Sequence, residues 1–424
     1  MAARSLLALA LVGLGPVWAQ NQLTLAAAEE TALRNHPRIA SAELAAEMAR
    51  AGVTEARAPL APQISGNFTS VGAEHSSTVA AGAIQTSSLY SRVAAGVAVS
   101  QLVTDFGRTA YLTRAAALRA DSQAQTAGNT KAEIRLQVDE AYYRALAADE
   151  VLRVAQAVLE NRRLMLRQVQ ALARSSLKST LDVSFAEVAV SDAELAQVRA
   201  ENDAKAERAL LAEAMGAPIS EVGTLADEPM SRDLEVTADE AVAEALRSRQ
   251  DLAALRLNRE AADSTAHAEA ALSRPTISLL GVAGDLPETD PRLHGTYSAA
   301  GVNVSIPVWN GRLFAARQTQ AALRVRIANK DAEALALRIA GQVRVAWLEA
   351  DTALRRIDVT ARLVDQAEQS LRLARTRYEN GLGSIVELNQ AQLSQVTAAM
   401  AAAGAKYEYL GRRAELAYAM GVLR

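Results

Sequence analysis

Asp105-Phe106-Gly107 is the most chemically suggestive triplet in the chain, because it copies the metal-binding Asp-Phe-Gly of protein kinases. No His-Arg-Asp loop and no glycine-rich strand turn accompany it, so the triplet fits better at the end of a strand and the start of a helix. The four histidines, His36, His75, His267 and His294, are too scattered to offer zinc-ligand spacing. Cysteine is absent, which excludes disulfides, thiolate metal sites, a cysteine nucleophile and a lipid-anchored N-terminal cysteine. Asn67-Phe68-Thr69 fits a glycosylation acceptor, a pattern that means little if the host is a bacterium. No Ser/His/Asp set is suggested by position, and carboxylate pairs along helices are ordinarily solvated faces. The formal net charge of −3, with no Lys/Arg run, leaves no footprint for nucleic acid. These residues point to a non-enzyme without cofactors or metal, and the organisation of the chain has to carry the functional reading.

That organisation is a duplication. Pro62-Gln63-Ile64-Ser65 recurs as Pro275-Thr276-Ile277-Ser278, 213 positions on, and Ala214-Met215-Gly216 recurs as Ala419-Met420-Gly421, 205 positions on. Phe106-Gly107-Arg108 pairs by motif with Asn310-Gly311-Arg312 at an offset of 204, which puts the one large length difference between Pro62 and Phe106. The predicted division is a signal peptide over 1–19, a first repeat over 20–217, a linker over 218–236 and a second repeat over 237–424. Residues 1–19 pair a single positive charge with a short apolar run and a small residue at Ala19, the pattern of an export signal. No later stretch is a continuous apolar run of about 20 residues, so no helical membrane span is expected.

Prolines are missing from 63–217 and from 308–424, so each repeat has room for very long helices. A heptad seam runs from Ile134 and Val138 to Val169 and Ala173, interrupted by the polar Arg162. Its counterpart runs from Ile339 and Val343 to Ala374 and Tyr378, interrupted by Thr360. A sustained 3.5-residue period predicts coiled-coil helices, the first over about Thr109–Ala173 and roughly 95 Å long. Each is followed by a short turn and a return helix, giving helical hairpins over about 109–215 and 312–421. The return seams are read as Leu181, Val188, Leu195, Val198, Ala209 and Ala212, and as Val386, Leu393, Val396, Met400 and onward to Ala417. One shorter helix precedes in each repeat, at about Leu25–Ala58 and Ala238–Leu272.

Between the short and the long helices lie uncharged stretches rich in Gly, Ser, Val and Thr, at Gln63–Ala73, Val93–Thr104, Thr276–Gly284 and Tyr297–Trp309. Ile64, Gly66 and Phe68 alternate with Gln63, Ser65 and Asn67, the pattern of a strand with one lipid face and one wet face. The polar stretches Glu74–Ser88 and Asp285–Gly295 are read as loops. Four strands cannot close a barrel in lipid, where about eight is the minimum and an open edge leaves backbone groups unsatisfied. Strands in a membrane would therefore have to be shared among subunits, with the helices projecting as a tube. Without a membrane, the same pattern describes a soluble secreted coiled-coil scaffold capped by hairpins.

Leu25–Ala45 with Asn35-His36-Pro37, Arg249-Gln250-Asp251-Leu252, Asp105-Phe106-Gly107-Arg108 and Tyr378 through Gln392 together resemble the TolC-like outer-membrane efflux proteins over about residues 23–423. The resemblance implies a mainly α fold with a small β part. Long coiled-coil hairpins would form an α-barrel in the periplasm, and four strands per subunit would join a shared trimeric barrel in the outer-membrane lipid. It implies a homotrimer acting as the exit duct of a tripartite efflux or type I secretion system, with a periplasmic adaptor and an inner-membrane pump as partners. It places a gate at Tyr378, Glu387 and Gln390, where Gln390 replaces the family's second acidic residue. Adaptor contacts would fall on the tips Ser176-Leu177-Lys178 and Gly381-Leu382-Gly383, and Gly383 stands where some members carry a basic residue. Three Glu387 carboxylates around one axis would repel, which predicts a gate sensitive to pH and cations.

Overall fold

The computed structural model describes residues 22–72, 78–81, 84–88, 92–234, 236–288 and 295–423, so the expected signal peptide at 1–19 lies outside the described residues. The first repeat begins with α1 (Leu25–Asn35) and α2 (Pro37–Arg57), followed by strands β1 (Gln63–Val71), β2 (Thr78–Ala81), β3 (Ile84–Ser88) and β4 (Arg92–Thr104). The helical hairpin of α3 (Arg108–Arg174) and α4 (Thr180–Met215) completes it. The second repeat runs through α5 (Ala238–Ser248), α6 (Gln250–Ala270), β5 (Thr276–Glu288) and β6 (Thr296–Ser305) to the hairpin of α7 (Leu313–Glu379) and α8 (Ile385–Ala419).

Helices α3 and α7 each hold 67 residues, about 100 Å at 1.5 Å per residue, and their ends match at an offset of 205. The predicted seams are the buried lines of these helices: Ile134, Val138, Ala155, Leu159 and Val169 in α3, and Ile339, Val343, Ala350, Ala374 and Tyr378 in α7. Small seam residues let the axes approach, so burial here comes from backbone proximity more than from bulky side chains. Tyr142 on α3 places its hydroxyl 2.7 Å from the carbonyls of Leu23 and Ala226. At the matching position of α7, Trp347 Nε1 donates to Val236 O at 2.9 Å, so two different side chains tie equivalent segments to equivalent helices.

Five expectations change. Each short helix is two helices, broken at His36 (ψ 121°) and Arg249 (ψ 123°). Pro37 explains the first break, because the residue before proline is pushed out of the helical region. The second break has no proline. There Gly421, at φ +73°, approaches so closely that a Cβ on it would lie 2.9 Å from Arg249 N. Gly216 makes the same approach to His36 Cα at 3.0 Å, so both Ala-Met-Gly motifs exist to pack a helix end against a kink.

The return-helix seams hold at the far ends, where Ala212 and Leu410 are buried, but nearer the turns the buried face is a different one. Leu181, Val188, Leu195, Val198, Val386 and Leu393 are exposed, while the buried heptads are Ala186-Ala193-Ala200 on α4 and Ala391-Ala398-Ala405 on α8. Alanine wins because it allows the tighter hairpin, which leaves the larger residues facing away from it. The stretch 74–88, read as a loop, contains the paired strands β2 and β3 among its described residues. The strand expected over Tyr297–Trp309 ends at Ser305.

The motif offset of 204 is also shifted by one residue. In the structure Phe106 (φ +53°) corresponds to Gly311 (φ +60°), and Gly107 (φ +93°) to Arg312 (φ +69°). The strand-to-helix turn needs two successive left-handed residues, and each repeat supplies one glycine at a different one of the two positions. Sequence alignment followed the glycine, whereas the backbone follows the turn.

The main sheet is antiparallel with strand order β1-β4-β5-β6. Register puts Ile64 opposite Val99, Val99 opposite Gly281, and Leu279 opposite Val302, so one face collects Ile64, Phe68, Val97, Val99, Leu279, Val302 and Val304. Gln63, Ser65, Asn67, Ser100, Ser278, Asn303 and Ser305 share the other face, where Leu280 and Val282 are the large apolar exceptions.

Candidate gate at the helical turns

The two long hairpins end side by side. Both turns close alike: Ser176 N bonds Ala173 O at 2.9 Å and Leu177 N bonds Leu172 O at 2.9 Å. Their counterparts are Gly381 N to Tyr378 O at 3.2 Å and Leu382 N to Arg377 O at 2.8 Å. The left-handed position after the helix is Gly381 (φ +69°) in one turn and Ser176 (φ +56°) in the other. Leu177 and Leu382 stand at the two apices, 69% and 72% exposed.

Tyr378 lies behind these apices, 2% exposed, in an apolar cluster with Val169, Ala374, Ile385 and Leu388. Burial, with Asp182 nearby, pushes its phenol up to about 12. Its hydroxyl has no hydrogen-bond partner among the described residues. Lys178 reaches across from the other hairpin and donates from Nζ to the Tyr378 carbonyl at 2.8 Å. The same ammonium sits 3.8 Å from the centroid of the Tyr378 ring. A backbone hydrogen bond and a cation–π contact thus converge on one cation and join the first repeat to the second.

Glu387 is not an isolated carboxylate. Arg377 Nε pairs with Glu387 Oε1 at 3.0 Å, and Arg377 Nη2 also donates to Leu382 O at 3.1 Å. Glu387 N is capped by Ser384 Oγ at 3.1 Å, which fixes the start of α8. The Glu387 carboxylate is therefore already neutralised by a cation within its own chain. Gly383 makes room for this pair: a Cβ there would meet Arg377 Cβ at 3.1 Å and Glu387 Oε2 at 3.2 Å. The cation missing after the turn is supplied from before it. Arg377 escaped sequence reading, and its signal was its place immediately before the tyrosine. Gln390 lies on the exposed side of α8, one turn beyond Glu387, and does not join the cluster.

Around the helical layer, α4 packs on α3, α3 on α8 and α8 on α7. Toward the sheet the order is α2, α3, α6, α7. Both orders end on α7 at one side and on α2 or α4 at the other, just as the sheet ends on β1 and β6. The outer faces of the terminal helices are apolar, with Leu181, Val188 and Leu195 exposed at heptad spacing on α4 and Val345, Val359 and Leu373 exposed on α7. No helix among the described residues is long and apolar enough to cross a membrane. Among the described residues, no group of three or more His, Asp or Glu is placed to hold a metal ion.

A sheet with one apolar face and two open edges, continued by helices longer than any bilayer, has the architecture of a subunit of an outer-membrane channel with a helical tunnel. The chain belongs to the outer membrane efflux protein family, whose model matches residues 29–217 and 241–422. Among solved structures, the fold is similar to the outer-membrane channel OprN (16% identity, 94% of this chain and 89% of that one, TM-score 0.81). It is similarly close to VceC of Vibrio cholerae (18% identity, 94% and 96% covered, TM-score 0.79). A curated relative is Protein CyaE of Bordetella pertussis strain Tohama I, 27% identical over 303 residues that span 69% of this chain and 63% of that protein. The match therefore spans less than two thirds of that relative's length.

Proposed function

We propose that three copies of this chain assemble into an outer-membrane duct that passes solutes or polypeptides outward, and that the chain has no catalytic role. The supporting observation is the coincidence of open edges in the sheet and in the helical layer. Joining β6 of one copy to β1 of the next would pair both rows of backbone groups, and three copies would give twelve strands. The same operation would bring the apolar flank of α7 against the apolar flank of α4. Two repeats, 20–217 and 237–424 joined by 218–236, would then supply successive sixths of the wall. The sheet would lie in the outer membrane and the helices would extend into the periplasm.

The turns would form the periplasmic gate. Lys178 on Tyr378, and Arg377 on Glu387, hold the closed arrangement. An adaptor engaging Ser176-Leu177-Lys178 and Gly381-Leu382-Gly383, itself coupled to an inner-membrane pump, would open it by drawing Lys178 off the ring. MtrE of Neisseria gonorrhoeae, an outer membrane channel that is 21% identical, has been described in an open state.

The test is to fractionate cells, determine the mass of the detergent-extracted protein and record its conductance in planar bilayers. Recovery in the outer membrane, a mass of three chains and discrete conductance steps are expected. Recovery in the soluble periplasmic fraction, or a monomeric mass without conductance, would sink the reading.

A further inference from the structure

Where the sheet meets the helices, a cavity of about 460 Å³ is lined by Gln63, Ser100, Thr276 and Ser278 together with Arg108 and Arg274. The four polar strand residues all belong to the face that carries Ser65, Asn67 and Asn303, opposite the apolar face of Ile64 and Phe68. In a barrel with its apolar face toward lipid, this cavity opens to the lumen.

The charge balance in the cavity is uneven. Its carboxylate, Asp105, is committed to the turn: Oδ1 accepts from Gly107 N at 3.2 Å and Oδ2 from Thr109 N at 2.7 Å. Among the described residues, Arg274 makes one side-chain bond, from Nη1 to Phe106 O at 3.3 Å. Arg108 is half-buried, its Nε is sealed from solvent, and among the described residues its guanidinium has no hydrogen-bond or ion-pair partner. A sealed Nε donor with no partner is costly unless a ligand or a water completes it, and the remaining nitrogens are free to bind an anion in the cavity. Neither arginine is a relic of the duplication, since the equivalent positions of the other repeat hold Leu313 and Ala61.

We propose that Arg108 and Arg274 form an anion-binding station on the lumen wall at the floor of the barrel, which takes one carboxylate, phosphate or sulfate group of a passing solute. The inference rests on the duct reading. Planar guanidinium forks match such groups in a bidentate way, and rings of arginine in a pore favour anions. Lipid phosphate has the same chemistry but lies on the other side of the wall. With three copies, the station becomes a ring of six guanidinium groups that focuses the field for anions entering from either end.

The test uses the full-length protein in planar bilayers, comparing wild type with Arg108→Gln, Arg274→Gln and Arg108→Lys. Reversal potential is read under a KCl gradient, and current is read as inorganic phosphate is added on the barrel side. Both glutamine variants are expected to move the reversal potential toward the potassium equilibrium potential and to lose the block by phosphate. Arg108→Lys is expected to keep the wild-type reversal potential. Should Arg108→Gln fail to assemble, Arg274→Gln carries the test, because it removes only the bond to Phe106. Conducting glutamine variants that match wild type in both readouts would overturn the inference and leave the duct reading standing. A wild-type protein that never conducts would remove the duct reading and this inference with it. The comparison is repeated in phosphate-free galactolipid bilayers, where the difference is expected to persist. If it vanishes there, the arginines serve lipid phosphate and the lumen station is wrong.

Discussion

The turn joining α3 to α4 and the turn joining α7 to α8 share their backbone bonds at a spacing of 205 residues, yet they hold different things. The first contributes Lys178, a cation on a long stem. The second contributes a platform: the Tyr378 ring and carbonyl that Lys178 grips, and the Arg377–Glu387 pair beside them. Duplication kept what the backbone requires, because a hairpin must satisfy the last carbonyls of its first helix whatever the side chains are. Side chains at the tips carried no such constraint, so one repeat could become the hand and the other the handle. A gate made this way would open when the two non-equivalent hairpins separate.

The largest effect should come from removing the platform. Tyr378→Ala empties a buried ring site and removes the cation–π contact, at a cost of about 3–4 kcal/mol. A higher closed-state conductance in planar bilayers and a lower thermal midpoint are expected. Tyr378→Phe sharpens the point, since the hydroxyl has no partner among the described residues and its loss should be nearly silent. If Tyr378→Phe leaks as much as Tyr378→Ala, the hydroxyl must bond across subunits, and the platform is shared among them rather than internal.

A second contrast between the repeats lies midway along the long helices. Asp139 on α3 is 3% exposed, against Glu29 on α1, and its equivalent on α7 is Arg344, which pairs with Asp239 at 3.1 Å. Burial, then the Glu29 carboxylate, raise Asp139 from 3.8 to about 8, while Arg135 opposes and Glu140 adds to the rise. A raised carboxyl keeps its proton in the folded chain after the unfolded chain has released it. The folded state is therefore penalised progressively from about pH 4 up to about pH 8, and not below that window. Asp139→Asn should remove the penalty and raise stability at neutral pH. Thermal unfolding across pH checks this, and a gain that persists unchanged at pH 3 would show that the buried charge is not its source.

How much of this was readable beforehand depended on which physical signal had to carry it. The long helices were legible because their heptads are continuous and proline-free, so Ile134 and Tyr378 fell on the buried line as counted. The faces of the return helices were not legible, because hydropathy ranks Leu181 and Val188 above Ala186. Closeness of approach, which favours alanine, leaves no mark in a hydropathy pattern. The break at Arg249 was hidden for a related reason, since its cause is the tertiary approach of Gly421, 172 residues away. At the candidate gate, Tyr378 and Glu387 were named through resemblance, but their partners Lys178 and Arg377 were not legible, because long basic side chains choose their contacts in three dimensions.

The hand is the next test. Lys178→Met keeps an apolar stem over Tyr378 and removes the ammonium, and should cost about 1–2 kcal/mol at the tip. Closed-state conductance should rise less than in Tyr378→Ala and should not rise further when the two changes are combined. Additive effects would mean that Lys178 closes the tip through something other than the ring. Smaller still is the strain at Ser176, which adopts the left-handed conformation that Gly381 adopts freely. Ser176→Gly should be close to neutral or stabilising by about 0.5–1 kcal/mol, whereas Gly381→Ala should destabilise by a similar amount. Opposite signs in chemical denaturation would confirm that the two turns demand the same backbone.

The smallest effect separates two readings of Glu387 that predict different signs. As a ring of like charges, Glu387→Ala would relieve repulsion and tighten the tip, while Arg377→Ala would expose the repulsion and loosen it. As an in-chain pair, both substitutions break the same contact and should loosen the tip alike. The two side chains are 43% and 54% exposed, so the pair is screened and worth about 0.5 kcal/mol. Conductance of the two single variants and the double variant, compared at low and high salt, decides between them. The pair reading expects equal, non-additive increases that shrink as salt rises. Opposite changes in the two single variants would return Glu387 to the axis and reduce Arg377 to a support for the carbonyl of Leu382.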